Sequence, residues 1–167
     1  MRLEMTRTFP VPLERGWEYV EDFRTWSEWM NMGVVDPEGA AWEQPGDTIK
    51  MAGSMLGIKF PGSLVLEEKV ALELSRTLYR WGGWPDIHVE QRYEAAGPGA
   101  FTLHIAAWVD EDAGLFGRSL MWLATTLPVL MQREVRHDLD RLEAIFRKDT
   151  AKPVKGHGES HAGGKAA

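Results

Sequence analysis

Apolar residues recur at Leu120, Leu123, Leu127, Met131, Val135, Leu139, Leu142 and Phe146, always three or four positions apart. That spacing keeps one oily stripe on one side of an α-helix and predicts a helix over roughly Ala113 to Lys148. A stripe of this length cannot face water, so something large and concave must cover it. The chain offers one partner, the run of β-like segments between about Gly46 and Asp110. The expected architecture is α+β: a curved antiparallel β-sheet wrapped around a long C-terminal α-helix. Pro128 sits inside the stripe and removes the hydrogen bond to the Ala124 carbonyl. A kink is expected there, or two helices in sequence with the continuous one starting near Thr126.

The segments that would form the sheet alternate as half-covered strands do. Arg2 to Val11 sets Leu3, Met5, Arg7 and Phe9 against Glu4, Thr6 and Thr8. Two short helices follow, Leu13 to Asp22 with Leu13, Trp17 and Val20 on one side, and Phe23 to Met30 with Trp26 and Trp29. A strand is expected around Gly39–Glu43. Strand Asp47–Leu56 places Ile49, Met51 and Met55 on one face; Ile58–Val70 places Ile58, Phe60, Leu64 and Leu66 there, with Lys59, Ser63, Glu67 and Lys69 opposite. Pro61-Gly62 suggests a bulge or an edge. In Ser75–Trp81 the covered positions are Thr77, Tyr79 and Trp81; in Asp86–Ala95 they are Ile87, Val89, Gln91 and Tyr93; in Phe101–Asp110 they are Phe101, Leu103, Ile105 and Val109.

Length, 167 residues, suits one domain, taken as 1–149, followed by a polar tail at 150–167 without periodicity and expected to be disordered. The net charge of −6 argues against a nucleic-acid partner. Absence of cysteine rules out disulfides, thiol nucleophiles and zinc–thiolate sites. Ser119 to Met131 is apolar but shorter than the roughly 20 residues a membrane span needs. With a charged start and no apolar leader, the expected location is the cytoplasm. Eight tryptophans and eight methionines are an excess that fits either a well-filled core or the wall of a pocket for an apolar guest.

The order strand, two short helices, antiparallel strands and long terminal helix resembles the SRPBCC superfamily, the START-type and birch-allergen-type helix-grip proteins with their polyketide cyclase/dehydrase-like group. The resemblance rests on FPVPLERGWEYVEDFRTWSEWM at Phe9–Met30, QPGDTIKM at Gln44–Met51, SRTLYRWGG at Ser75–Gly83 and DLDRLEAIFRK at Asp138–Lys148. It implies a cavity between sheet and helix of the kind that holds lipids, sterols or polyketides. Some relatives catalyse cyclisation or dehydration there; others carry or sense a ligand.

Chemistry-bearing patterns are sparse. His88 and His104 fall in the outward phase of their strands, and His157 and His161 lie in the tail, so no metal site and no cofactor are expected. Asp110, Glu111 and Asp112, Glu67 and Glu68, and Asp138 and Asp140 read as solvated or capping acids. No nucleophile triad, phosphate loop or dinucleotide fingerprint is present. The leading expectation is a carrier or sensor that binds a small hydrophobic molecule through Trp26, Trp29, Met51, Met55, Phe60, Tyr79, Trp81, Gln91, Tyr93, Leu123, Leu127 and Met131. Burying roughly 300 Å² of apolar ligand contributes about 7 kcal/mol, enough for binding without a strong polar contact. The alternatives are a cyclase or dehydratase polarising a carbonyl with Tyr79, Tyr93 or Gln91, and an interaction module without a ligand.

Overall fold

The computed structural model describes residues 2–35, 37–55, 58–81, 86–109 and 128–151, with backbone alone for 54, 55, 58–60, 128–131 and 151. Strand β1 (Arg2–Phe9) leads into helices α1 (Leu13–Val20) and α2 (Trp26–Trp29). The short strand β2 (Met32–Val34) precedes a single 3-10 turn at Pro37–Gly39, and then come β3 (Thr48–Met55), β4 (Ile58–Val70), β5 (Leu74–Trp81), β6 (Ile87–Ala95) and β7 (Phe101–Val109). The last element is helix α3 (Pro128–Ala151). All seven strands form one antiparallel sheet in the order β1-β7-β6-β5-β4-β3-β2, curled into half a barrel around α3. This is the helix-grip α+β fold that the stripe demanded.

Alternation of side chains decides what the concave face offers. Phe9 pairs with Phe101 and Arg7 with Leu103 across β1 and β7, and Tyr93 pairs with Leu103 across β6 and β7. These inward positions meet Leu139, Leu142 and Phe146 of α3 in one continuous core. Phe146 packs edge-on against Phe9 at 5.6 Å and against Tyr19 of α1 at 5.4 Å between ring centroids. Each such fully buried side chain contributes roughly 1.5–3 kcal/mol. Arg7, the one cation in the inward phase of β1, turns the stripe's polar flank to use by donating to Glu143 at 2.6 Å and to Asp140.

Two glycines explain how a tryptophan lies flat on the sheet floor. Trp81 sits over Gly53 and Gly62, where an added Cβ would stand 2.7 Å from its ring. Gly16 does the same for α1, because any side chain there would overlap the Phe101 ring.

Several expectations need correction. The strand near Gly39–Glu43 is absent; the pairing edge is β2, where Met32 and Val34 face Gly53 and Met51. The bulge lies between Leu66 and Glu68, not at Pro61-Gly62, which keeps regular register with β3. One extra residue reverses the phase, so Lys69 points inward and donates to the Trp42 carbonyl at 2.6 Å instead of facing water. Helix α3 is described from Pro128 to Ala151, close to the expected start of a continuous helix near Thr126. Residues 110–127, with Leu120, Leu123, Leu127 and the acids at 110–112, and the remaining tail lie outside the described residues.

Candidate functional site

The concave face carries both sealed and half-buried positions. Among the inward positions Phe9, Leu64, Leu66, Tyr93, Phe101 and Leu103 are sealed, Leu64 directly across from Tyr79. Others are only half-buried, at Leu3 and Met5, at Tyr79 and Trp81, at Ile87, Val89 and Gln91, and at Ile105, Ala107 and Val109. Val135 and Asp138 of α3 are half-buried too, Val135 packed against the core. Tyr79 defines the character of the place. It is half-buried on the inward face of β5, directly across from the buried Leu64 of β4.

The polar groups of this interior fall into two sets. Glu21, at the end of α1, is buried, and its carboxylate accepts a hydrogen bond from the Tyr93 hydroxyl at 2.6 Å. Its other oxygen has no hydrogen-bond partner among the described residues. Burial pushes the Glu21 carboxyl above the ordinary range, while the Tyr93 hydroxyl, Lys69 and the buried hydroxyl of Ser75 pull the other way. Tyr93 lies edge-on against Trp17 at 4.8 Å. On α3, burial raises the Asp138 carboxyl to about 6, against the pull of Arg141, whose guanidinium is 3.0 Å away. Tyr79 lies in the field of both carboxyl groups, which, with its burial, keep its phenol protonated. The Tyr79 hydroxyl and the Gln91 amide make no side-chain hydrogen bond to any described residue.

The expected lining residues therefore separate. Tyr79, Trp81 and Gln91 are all half-buried, but Gln91 pairs with Ser75, four residues along β5 from Tyr79, and stands apart from the other two. Trp26, Trp29, Met51 and Tyr93 are packed solid: Trp26 donates its indole N–H to the Val20 carbonyl and stands edge-on to Trp42. The side chains of Met55, Phe60 and Met131, and all of Leu123 and Leu127, lie outside the described residues.

Asp138 corrects the reading of a solvated acid: it turns inward on the stripe side of α3. Glu21 was missed, although it stands four residues after Trp17 and so shares the covered face of α1. His88 and His104 do face outward, but as bonded groups. His88 shares a hydrogen bond with Glu67 at 2.9 Å and stacks on Trp108, and His104 bonds Thr6 at 3.0 Å.

Outside the grip, a cleft of about 530 Å³ opens between the α1–α2 turn and the β4–β5 end, with Trp17, Glu21, Phe23, Trp42 and Lys69 in its walls. Among the described residues no group of three or more His, Asp or Glu converges as a metal site, and no helix is long and apolar enough to cross a membrane.

Comparison with known proteins accords with this geometry. The model of the family described as polyketide cyclase / dehydrase and lipid transport matches residues 1–147. The chain belongs to that family. Among solved structures, the Zhui aromatase/cyclase from Streptomyces sp. R1128 superposes with a TM-score of 0.69 at 12% identity, covering 93% of this chain and 98% of that one. A START superfamily protein from Mycobacterium smegmatis gives 0.65 at 12% identity, over 88% and 97%. A protein from Thermus thermophilus gives 0.63 at 18% identity, over 90% and 100%. At such identities the polyketide cyclase and START likeness is a likeness of fold. No curated protein matches the chain.

Proposed function

We propose that this polyketide cyclase / lipid transport family member binds a small hydrophobic molecule between its sheet and α3, as a carrier or sensor. The observation that supports the reading is the row of half-buried apolar positions on the inward face, Leu3 and Met5 of β1, Tyr79 of β5, Ile87 and Val89 of β6, and Ile105 and Val109 of β7. An apolar wall with a few polar groups is the usual make-up of a small-molecule pocket. Tyr79, Trp81 and Gln91 are its described lining; Met55, Phe60, Leu123, Leu127 and Met131 complete the proposed set, with Trp26, Trp29, Met51 and Tyr93 as the packed end wall. Titration of purified protein with lipids, sterols and aromatic polyketides, followed by tryptophan fluorescence, tests it. Saturable quenching or enhancement by one chemical class is expected; silence across the panel overturns it. Native mass spectrometry of protein purified from its own host names the guest.

A second reading has a specific observation behind it. Burial raises the Asp138 carboxyl to about 6, and it lies within electrostatic reach of the Tyr79 phenol. A carboxyl poised there is placed to move a proton while Tyr79 polarises a carbonyl, the chemistry of a cyclase or dehydratase. Asp138→Asn then abolishes turnover of a polyketide substrate and leaves its binding intact. Equal turnover in the variant removes this reading.

A further inference from the structure

The cleft outside the grip has buried polar atoms in its wall that the protein does not itself satisfy. Glu21 and Trp42 both line it, and both are more than nine-tenths buried. One Glu21 oxygen accepts from the Tyr93 hydroxyl at 2.6 Å. The other has no hydrogen-bond partner among the described residues, and neither does the Trp42 indole N–H. A buried polar atom left bare costs about 1–3 kcal/mol, so two in one wall call for a guest that supplies partners.

The charges of the cleft say which sign that guest carries. Carboxylates of Glu18, Glu21, Asp22 and Glu43 stand there against the two cations Arg24 and Lys69. Both cations are engaged. Arg24 donates to Asp22 at 2.7 and 2.8 Å, and Lys69 donates to the Trp42 carbonyl at 2.6 Å with Glu43 at 3.6 Å. Pairing them with Asp22 and Glu43 leaves two acids over, Glu18 exposed and Glu21 buried. Trp17 and Phe23, both half-buried, add aromatic surface beside them, and ring faces attract cations.

We propose that this cleft is a second binding site, separate from the grip, for a small organic cation: a protonated primary amine on an apolar body. The ammonium donates to the bare Glu21 oxygen, and the body packs against Trp17 and Phe23. A volume of about 530 Å³ lies within the roughly 300–1,000 Å³ that small-molecule sites occupy. An anion of the same size meets two uncompensated acids instead, so the site discriminates by sign through attraction and repulsion together.

The test titrates the full chain by calorimetry at about pH 8, where an alkylamine is protonated. The probes share one skeleton: 2-phenylethylammonium, 2-phenylethanol and phenylacetate. The ammonium should bind at least about tenfold tighter than the alcohol, as a hydrogen bond to a charged group gives, and phenylacetate weakest of the three. Glu21→Gln, which keeps an acceptor for Tyr93, should weaken the ammonium about tenfold and leave the alcohol unchanged. Glu18→Lys changes an exposed helical position, spares the fold and should weaken the ammonium about twofold to fivefold. If Glu21→Gln does not fold, Glu18→Lys and amide NMR shifts decide. Bound ammonium should shift the amides of residues 17–24 and 42–43 and leave those of Tyr79 and Trp81 in place. Failure of the ammonium to bind overturns the proposal, as do equal binding of alcohol or phenylacetate, affinity undiminished in the charge variants, or shifts centred on Tyr79 and Trp81. None of these outcomes bears on the apolar guest of the grip, which the lipid and polyketide titrations test separately.

Discussion

At the residue scale, the interior is governed by how buried acids are partnered. Tyr93→Phe takes the donor from a buried Glu21 oxygen, and leaving that oxygen bare should cost about 1–3 kcal/mol in chemical denaturation. Asp138 gives a prediction in pH. Its carboxyl is raised to about 6 in the folded protein, so the folded state holds its proton more tightly than the unfolded chain does. The associated stability is complete below the unfolded value near 4 and is lost as pH rises through about 6. Asp138→Asn should therefore match the parent near pH 4 and exceed it at pH 7, by on the order of 2 kcal/mol at most because Arg141 offsets part of the penalty. Denaturant midpoints across that range check it, and a variant less stable at pH 7 would refute it. Glu143 and Glu90 act with the opposite sign: hydrogen bonds from Arg147 and Arg7 lower the first and from Arg76 and Arg92 the second. What they contribute is present above the ordinary carboxylate range and fades in acid.

At the scale of elements, close approach matters more than propensity. Trp81 covers Gly53 and Gly62, and Gly62 also stands close to the Arg80 carbonyl. Gly62→Ala should cost about 1–3 kcal/mol through overpacking and change the near-ultraviolet dichroism as the indole is displaced. An unchanged spectrum and midpoint would mean that the ring gives way freely. The bulge at Leu66/Glu68 shows why strand phase read by counting fails at a single residue: the count runs on, but the backbone skips. Lys69 is the consequence. Similarly, Met32–Val34 is too short and too weakly alternating for its period to stand out, and only pairing with β3 makes it a strand.

At the scale of the whole molecule, one concave face carries both sealed and half-buried positions. Phe146 is fully buried among Phe9, Phe101 and Tyr19, so Phe146→Ala should cost about 3–5 kcal/mol by thermal or chemical unfolding. A loss much below that would mean the aromatic end collapses around the gap. The sequence by itself determined the architecture, because a long helical stripe and a set of two-residue alternations leave few ways to bury both. It also put Tyr79, Trp81, Gln91 and Tyr93 on the covered face, since period alone fixes a side of a strand. Tertiary structure decided which of those residues are sealed and which are half-buried, because that depends on how far Leu139, Leu142 and Phe146 of α3 fill the grip. It also brought Glu21 and Asp138, 117 positions apart in the chain, within electrostatic reach of one phenol. No local period encodes that meeting; it arises where α1 and α3 close on the same sheet.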